Sequence, residues 1–227
     1  MSECDPEDTR TSYDRVAAEY ARRIYDELRH KPLDRELLDR FASELRGKGH
    51  VGDLGCGPGQ VARYLYDRGV DASGLDLSPA MIALARELNP GLTFQTGDLR
   101  ALPFESGALA GIAAFYSIIH VARGEATDAL REMGRALRPG GRLLLAFHVG
   151  SEVRHVEDLW GEAVALDFVF FEVGEMRGYL EAAGFEVDEI VERDPYPEVE
   201  VQTRRAYILA TAGGTSRSDP PGAPRRG

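Results

Sequence analysis

The sequence predicts an α/β fold: a doubly wound, mostly parallel sheet with helices on both faces and an antiparallel C-terminal edge hairpin. Between residues 51 and 148, short apolar runs alternate with amphipathic stretches of about ten residues, which is the pattern of βαβ units. Two later strand-like segments, 185–192 and 205–211, follow one another without an intervening helix. Such segments pair antiparallel, because a parallel pair needs a long crossover.

The individual elements follow from apolar periodicity and from capping residues. Apolar side chains recur at three- and four-residue steps over 13–28 and over 33–45, which predicts two N-terminal helices. Ser78 is a natural N-cap and Pro79 a natural first helical residue, so a helix begins sharply there. The predicted strands are 51–54, 72–77, 93–95, 108–115 and 142–148. The helices predicted between them are 60–68, 79–88 and 125–137, and the last of these ends at a Pro-Gly-Gly turn.

Composition limits the domain count, the compartment and the partners. One folded domain is expected over 12–212, with a frayed polar N-terminus (1–11) and a disordered tail rich in Gly, Pro and Ser (213–227). The net charge of −11 argues against a nucleic-acid partner, since phosphate backbones are bound by clustered Lys and Arg. Only two cysteines occur, and neither a secretory signal nor a membrane-spanning run is visible, so a cytoplasmic location is expected.

Chemistry-bearing residues cluster where the predicted strands end. A G-x-G-x-G loop, Gly55 to Gly59, follows the first strand, and Asp53 precedes it by two residues. A carboxylate there would repel a pyrophosphate and would suit a ligand that carries an ammonium group. Asp76 closes the second strand, where a carboxylate can accept hydrogen bonds from ribose hydroxyls, and Asp98 follows the third. Because successive parallel strands end at one crevice, the three carboxylates are expected to gather around one ligand.

These segments resemble the class I S-adenosylmethionine-dependent methyltransferase family, whose fold is Rossmann-like. VGDLGCGPGQ is similar to the first motif of the family, GLDLSPAMIALAR to its second and TGDLRALPF to its third. AGIAAFYSIIHV and ALRPGGRLLLAFHV resemble the segments around its fourth and fifth strands. The resemblance covers about residues 13–211 and implies that the chain is an enzyme whose cofactor is S-adenosyl-L-methionine.

The resemblance also implies roles for individual residues. The backbone of Gly55, Cys56 and Gly57 would pack against the methionine portion of the cofactor, with Asp53 supporting the loop and the ammonium group. Asp76 would hold the ribose hydroxyls. The remaining residues that the family pattern places against the cofactor are Leu77 and Met81 beside the adenine, Asp98 and Leu99 at its polar edge, Phe115 and Tyr116 at the methionine end, and Tyr20 from the N-terminal capping helices (12–46).

The expected reaction is transfer of the sulfonium methyl group to an O, N or C atom of a small-molecule acceptor by in-line displacement, without a metal. His120 and His148 are the candidate catalytic bases, although each could instead be a structural histidine.

A segment over about 150–175, rich in aromatic residues, is expected to form a lid over the substrate. Arg204 and Arg205 on the last strand could bind a substrate carboxylate, with surface salt bridges as the simpler interpretation. The protein is expected to be a monomer or a homodimer.

Three other functions stay open at this point. A nucleic-acid or protein methyltransferase is disfavoured, because Phe115-Tyr116-Ser117-Ile118 stands where amino-methylating enzymes of the family carry an Asn/Asp-Pro-Pro-aromatic motif. A protein of the same fold that binds the cofactor without methyl transfer, or a cyclase, would show the same motifs. An NAD-dependent dehydrogenase is disfavoured, because Gln60 stands in place of the last glycine of the dinucleotide fingerprint.

Overall fold

The computed structural model describes residues 4–213, so the predicted tail lies, apart from Gly213, outside the described residues. The α-helices are α1 (Pro6–Ile24), α2 (Pro32–Leu45), α3 (Gln60–Tyr66), α4 (Pro79–Leu88), α5 (Arg123–Ala136) and α6 (Val173–Ala182). Short 3-10 turns span Glu27–His30 and Ile118–His120. The strands are β1 (Val51–Leu54), β2 (Ala72–Asp76), β3 (Thr93–Thr96), β4 (Leu109–Phe115), β5 (Leu137–His148), β6 (Val153–Leu159), β7 (Glu162–Val169), β8 (Phe185–Arg193) and β9 (Arg205–Ala212).

The main sheet has seven strands in the order β3-β2-β1-β4-β5-β9-β8. The first five pair in parallel, whereas β9 pairs antiparallel with both β5 and β8. The predicted fold class is therefore confirmed, including the antiparallel edge hairpin. The carboxyl ends of β1, β2 and β4 lie side by side, because these strands are neighbours in register.

Two apolar layers hold helices on opposite faces of the sheet. Alternation along β4 sends Ile112 to one face and Ala113 to the other, as expected for strands buried on both sides. One layer joins Ile112 to the apolar sides of α5 and α6, and the other joins Ala113 to α2 and α3. Among residues 4–213, no helix combines the length and the apolar character that crossing a bilayer requires.

The N-terminal segment differs from the expectation of a frayed end. Residues 6–11 form the first turns of α1, which begins seven residues earlier than the apolar periodicity predicted. The Asp5 side chain accepts a hydrogen bond from the Glu7 N–H at 2.8 Å, and Pro6 occupies the first helical position. A polar capping sequence thus starts the helix, and apolar spacing alone could not reveal it.

Two other segments show structure that the sequence pattern did not predict. The segment expected to be a lid is a separate antiparallel hairpin of β6 and β7, with positive φ angles of 58° and 89° at its turn residues Trp160 and Gly161. Strand β5 begins at Leu137, before the predicted Pro-Gly-Gly turn. Its pairing with β4 shifts register between Leu109 and Gly111, so the turn is taken up as an irregularity inside the strand.

Candidate functional site

The carboxyl ends of β1, β2 and β4 open into two adjoining cavities. The smaller, called here the narrow cleft, has a free volume of about 90 Å³, and the larger, called here the wide chamber, about 680 Å³. The predicted site residues that line the narrow cleft are Tyr20, Gly55, Gly57, Asp76, Leu77, Met81, Asp98, Leu99, Phe115, Tyr116 and His120. The wide chamber is lined by the remaining three, Asp53, Cys56 and His148, and shares Tyr20, Gly55, Gly57, Phe115 and Tyr116 with the cleft.

The glycine loop directs its N–H groups into the protein. The N–H groups of Gly55 and Cys56 both donate to the Leu75 carbonyl, at 2.7 and 3.0 Å, and that of Gly57 donates to the Asp76 carboxylate at 2.8 Å. Gly55 and Gly57 have φ angles of +72° and +50°, and a Cβ on Gly55 would lie 2.3 Å from the Cβ of Ser117. Phosphate-binding loops need free N–H groups, so this loop is unsuited to a pyrophosphate.

Asp76 joins the loop to the helix that follows β2. Its Oδ2 accepts the Gly57 N–H, and its Oδ1 accepts the Ser78 N–H at 2.9 Å. Burial raises the pKa of the Asp76 carboxyl above its ordinary value, while these N–H donors oppose that rise. Each carboxylate oxygen has two acceptor sites, so Asp76 can still accept hydrogen bonds from a ligand in the narrow cleft.

Asp53 lines a different cavity from the other two carboxylates. Its side chain is only 1% exposed and accepts a hydrogen bond of 2.9 Å from the Ala62 N–H in the first turn of α3. Burial raises the pKa of Asp53 to about 7. Asp76 and Asp98 line the narrow cleft, and the two cavities adjoin, so the gathering of three carboxylates around one ligand stays a prediction; the wide chamber, beneath the loop, is lined by Asp53. Its partner Ala62 lies in the helix that follows the loop, which draws the carboxylate under the loop.

Asp98 has a salt-bridge partner within the protein that the sequence pattern did not predict. Both of its carboxylate oxygens accept from the guanidinium of Arg100, at 2.9 Å each, and Arg100 also lines the narrow cleft. The Cys56 side chain packs in an apolar cluster with Ile82 and Phe94, where burial raises the pKa of the thiol. Cys56 can therefore contribute to a ligand site by its backbone only, as the family pattern implies.

Helix α1 covers the narrow cleft and is fixed at two places. Oδ1 of Asp14 accepts from the Ser78 hydroxyl at 2.6 Å and from the Ala80 N–H at 3.0 Å, which ties α1 to the first turn of α4. On its other side, the Ser12 hydroxyl accepts from the Ala165 N–H of β7 at 2.8 Å. Tyr20 extends from the same helix over the glycine loop, since a Cβ on Gly57 would lie 3.6 Å from its ring.

The two histidines singled out in the sequence are both uncharged and largely buried. Nδ1 of His120 lies 3.0 Å from the Asp167 carbonyl oxygen, which can only accept, so Nδ1 carries the proton. Nε2 must then accept from the Tyr13 hydroxyl, 2.7 Å away. Burial lowers the pKa of His120 to about 4. Both ring nitrogens of His120 are thus occupied within the protein.

His148 lies on the wall of the wide chamber between two aromatic rings. Its ring is 5.0 Å from the ring of Tyr116 and 5.2 Å from that of Phe170, and Nδ1 lies 2.8 Å from the Thr203 hydroxyl. Burial, together with the positive charges of Arg205 and Lys31, lowers the pKa of His148 to about 3. Tyr116, which borders both cavities, has a φ of +56°, a strained value for a residue with a Cβ.

A buried ionic network forms the inner wall of the wide chamber, and sequence reasoning missed most of it. Lys31 Nζ lies 2.6 Å from Glu27 and 3.4 Å from Glu200. Arg193 pairs with Glu200 and, at 3.1 Å, with Asp34, which also accepts from the Tyr207 hydroxyl at 2.9 Å. Arg205 completes the network. No sequence signal could have found the pair of Asp34 and Arg193, because these residues are 159 positions apart in the chain.

Comparisons with known proteins agree with this geometry. A family model described as a methyltransferase domain matches residues 51–141. A malonyl-[acyl-carrier protein] O-methyltransferase from Enterobacter lignolyticus is 31% identical over 148 residues, which are 64% of this chain and 58% of the relative. A demethylmenaquinone methyltransferase from Beutenbergia cavernae is 33% identical over 146 residues, 63% of this chain and 58% of the relative. The chain thus matches little more than half the length of these curated relatives.

A solved structure extends the likeness over nearly the whole fold. Magnesium protoporphyrin IX methyltransferase from Synechocystis, solved with bound S-adenosylmethionine, superposes with a TM-score of 0.68 over 94% of this chain and 98% of its own, at 19% identity. A sequence identity of 19% supports a shared fold and does not identify a substrate. The motifs, the matched family model and the strand order together support the resemblance of this chain to the class I S-adenosylmethionine-dependent methyltransferase family.

Proposed function

We propose that this protein transfers the methyl group of S-adenosyl-L-methionine to an O, N or C atom of a small-molecule acceptor. The observation that carries the proposal is the shared wall of the two cavities, formed by Gly55, Gly57, Phe115 and Tyr116 with the rings of α1. A cofactor whose adenosyl part occupies the narrow cleft would direct its methionine end, and the methyl group next to it, toward the wide chamber. The acceptor would lie in that chamber.

The residues present fit this cofactor better than a dinucleotide. The loop N–H groups are already used, while the Gly55 carbonyl accepts no hydrogen bond from residues 4–213 and could receive an ammonium N–H. Asp53, beneath the loop, adds a carboxylate on the same side. The Ser117 hydroxyl is buried on the wall of the narrow cleft and has no hydrogen-bond partner among the described residues. A ligand that brings both donors and acceptors would satisfy these groups.

The narrow cleft must widen to admit the adenosyl part. Its free volume of about 90 Å³ is below the roughly 300–1,000 Å³ of ordinary ligand pockets. Helix α1 and the Arg100 side chain border the cleft, and both are held by polar contacts that can be broken individually. We infer that α1 moves away from α4 when the cofactor enters, and that Arg100 releases Asp98 for contact with the adenine.

The cofactor supplies an electrophilic methyl group, so the protein has mainly to hold the acceptor in line and to exclude water. His120 is an unsuitable base, because both of its ring nitrogens are engaged within the protein. His148 is the better placed of the two candidates: its Nε2 has no hydrogen-bond partner among residues 4–213, and it lines the wide chamber. A pKa of about 3 makes it a weak base and suits it to orienting the acceptor.

The likenesses do not select one acceptor. The two relatives are named for different acceptors, malonyl-[acyl-carrier protein] and demethylmenaquinone. The solved [4+2]-cyclase SpnF superposes with a TM-score of 0.57 at 20% identity, so the same fold occurs in a protein named for cyclisation. We favour methyl transfer, with a cytoplasmic location, a monomer or homodimer, and no nucleic-acid partner, in keeping with the net charge of −11.

Calorimetry with S-adenosylmethionine, S-adenosylhomocysteine and NAD tests the cofactor assignment. We expect the first two to bind and NAD to give no heat of binding. A metabolite screen that monitors S-adenosylhomocysteine release then separates methyl transfer from binding alone. Binding of NAD without binding of S-adenosylhomocysteine would contradict the proposal, and cofactor binding without turnover across a broad screen would favour the binding-only or cyclase alternative.

A further inference from the structure

The inner end of the wide chamber holds a buried arginine with unused donors. Arg205 lines this chamber, although the residue is only 3% exposed. Its Nη1 donates to the carbonyl oxygens of Val201, at 3.0 Å, and Thr203, at 2.6 Å. Its Nε and Nη2 have no hydrogen-bond partner within residues 4–213; Nε lies 3.2 Å from Oε2 of Glu200 without hydrogen-bond alignment. Buried donors are rarely left unused in native proteins, so this group needs an explanation.

The nearest carboxylate has no acceptor site left for Arg205. Glu200 accepts twice from the Arg193 guanidinium and once from the Tyr196 N–H, and it forms an ion pair with Lys31 Nζ at 3.4 Å. These contacts match the roughly four acceptor sites of a carboxylate. Lys31 donates a hydrogen bond to Glu27 at 2.6 Å and forms only an ion pair with Glu200, so it keeps spare N–H groups. This end of the chamber therefore has spare donors on Arg205 and Lys31, while the acceptor sites of Glu200 are used.

Both cations lie beside the point where the two cavities meet. The Arg205 guanidinium carbon and Lys31 Nζ are each 5.6 Å from the centre of the Tyr116 ring, and Tyr116 borders both cavities. A group bound by Arg205 and Lys31 would thus lie next to the proposed site of methyl transfer. The rest of the chamber offers aromatic walls, among them Phe115 and Phe168, that suit an apolar body.

We propose that Arg205 and Lys31 form an anion subsite that binds a carboxylate of the methyl acceptor, whose apolar body fills the aromatic part of the wide chamber. The planar fork of arginine matches a carboxylate, which would complete the unused N–H groups. This proposal rests on the function proposed above and names the class of acceptor. The exposed acids at the chamber's mouth, Asp26 and Glu198, face solvent, where their repulsion of an anion is screened.

Matched probes test the subsite without knowledge of the natural acceptor. The protein is saturated with S-adenosylhomocysteine and titrated with 2-naphthoate and with 2-naphthamide, which differ in charge and have nearly the same shape. We expect the carboxylate to bind about tenfold more tightly than the amide. If the wild-type protein binds the two probes with equal affinity, or binds the amide more tightly, the proposal is overturned.

Variants then identify the residue that produces the preference for the carboxylate probe. Arg205→Gln should abolish the discrimination between the two probes, whereas Arg204→Gln should keep it, since Arg204 is 58% exposed and pairs with Glu192 and Asp194 at the surface. Because Arg205→Gln removes a charge from a buried network that stabilises the fold, Arg205→Lys provides the second test. It keeps the charge and loses the fork, and we expect it to reduce carboxylate affinity about fivefold with little change for the amide.

The two proposals fail in different ways. Calorimetry with S-adenosylhomocysteine is run on each variant first, and the cofactor affinity should match that of the wild type. A wild-type protein that binds no S-adenosylhomocysteine contradicts the proposed function itself. A protein that binds S-adenosylhomocysteine and keeps its probe preference in Arg205→Lys contradicts the anion subsite alone.

Discussion

The Tyr13 hydroxyl lies 2.7 Å from Nε2 of His120 and donates a hydrogen bond to that nitrogen. Nδ1 of the same imidazole donates to the Asp167 carbonyl of β7. One buried ring therefore joins three separate parts of the molecule: α1, the segment after β4, and the β6–β7 hairpin. The helix and the hairpin that cover the site are held together through a residue at the edge of the narrow cleft. His120 is accordingly a structural link in the cover of the cleft.

If α1 is a movable cover, loosening its contact with α4 should speed cofactor exchange. Asp14→Ala removes the acceptor for the Ser78 hydroxyl and the Ala80 N–H. We expect dissociation of S-adenosylhomocysteine to become several-fold faster and stability to fall by about 1–2 kcal/mol. Stopped-flow fluorescence of Trp160, the single tryptophan, beside Tyr20, can follow this release. Asp8→Ala on the exposed side of α1 is the control, and equal rates in both variants would contradict a covering role for α1.

Asp76 should carry much of the cofactor affinity. Asp76→Ala removes the acceptor expected to hold the ribose hydroxyls and also releases the Gly57 N–H. We expect S-adenosylhomocysteine to bind about 10- to 100-fold more weakly by calorimetry, because buried polar groups of the ligand would lose their partners. Asp128→Ala, at a carboxylate that is 76% exposed on α5, should leave the affinity unchanged. An unchanged affinity in Asp76→Ala would count against the placement of the ribose.

The close approach of the glycine loop to Ser117 can be tested by a paired substitution. A Cβ at residue 55 would lie 2.3 Å from the Ser117 Cβ, and its φ of +72° disfavours alanine in addition. We expect Gly55→Ala to lower the free energy of unfolding by about 2–4 kcal/mol, and Ser117→Gly in the same chain to recover part of the loss. Urea denaturation measures both. Gly124→Ala, in α5 with open space around it, should be neutral or stabilising, and no recovery in the double variant would exclude the clash.

The two buried histidines predict a loss of stability in acid. Burial lowers the pKa of His120 to about 4 and that of His148 to about 3, below the unfolded value of about 6.5. The folded state thus binds fewer protons than the unfolded state in this window. Each neutral ring contributes stability that is fully present above about pH 6.5 and declines by about 1.4 kcal/mol per pH unit below it.

Denaturation at pH 7, 6 and 5 can isolate this contribution. The stability advantage of the wild type over His120→Gln, or over His148→Gln, should shrink as the pH falls. His30→Gln, at an exposed position, is the control variant. A difference from the wild type that stays constant with pH for the two buried histidines would mean that their rings are not held neutral by burial.

Asp53 predicts a pH dependence of the opposite sign. Burial raises its pKa to about 7, so between about pH 4 and pH 7 the folded state holds a proton that the unfolded state has lost. Stability from this group is therefore greatest in acid and declines by about 1.4 kcal/mol per unit as the pH rises. Asp53→Asn keeps an acceptor for the Ala62 N–H and should gain stability relative to the wild type from pH 5 to pH 7. Asp128→Asn, at an exposed carboxylate, is the control, and a difference for Asp53→Asn that stays constant with pH would contradict the raised pKa.

Local features of the sequence determined much of the fold. Ser78 and Pro79 begin α4 at the predicted residue, because a cap acts through hydrogen bonds within one turn: the Met81 N–H donates to the Ser78 hydroxyl at 3.1 Å. Strand β1 also has its predicted bounds, since a short apolar run that ends at glycine admits few alternatives. The glycine loop and the Asp76 position likewise followed from spacing along a single βαβ unit.

The sequence by itself therefore determined the α/β class, the strands and helices of the alternating part, and the family motifs at the strand ends. Only the tertiary structure decided that β9 inserts between β5 and β8, that residues 153–169 form a hairpin against α1, and that Asp53 and Asp76 line different cavities. It alone showed the network of Lys31, Asp34, Arg193, Glu200 and Arg205. The physical reason is range: caps and periodicity act between near neighbours in the chain, whereas buried ion pairs and strand insertion depend on which distant segments pack together.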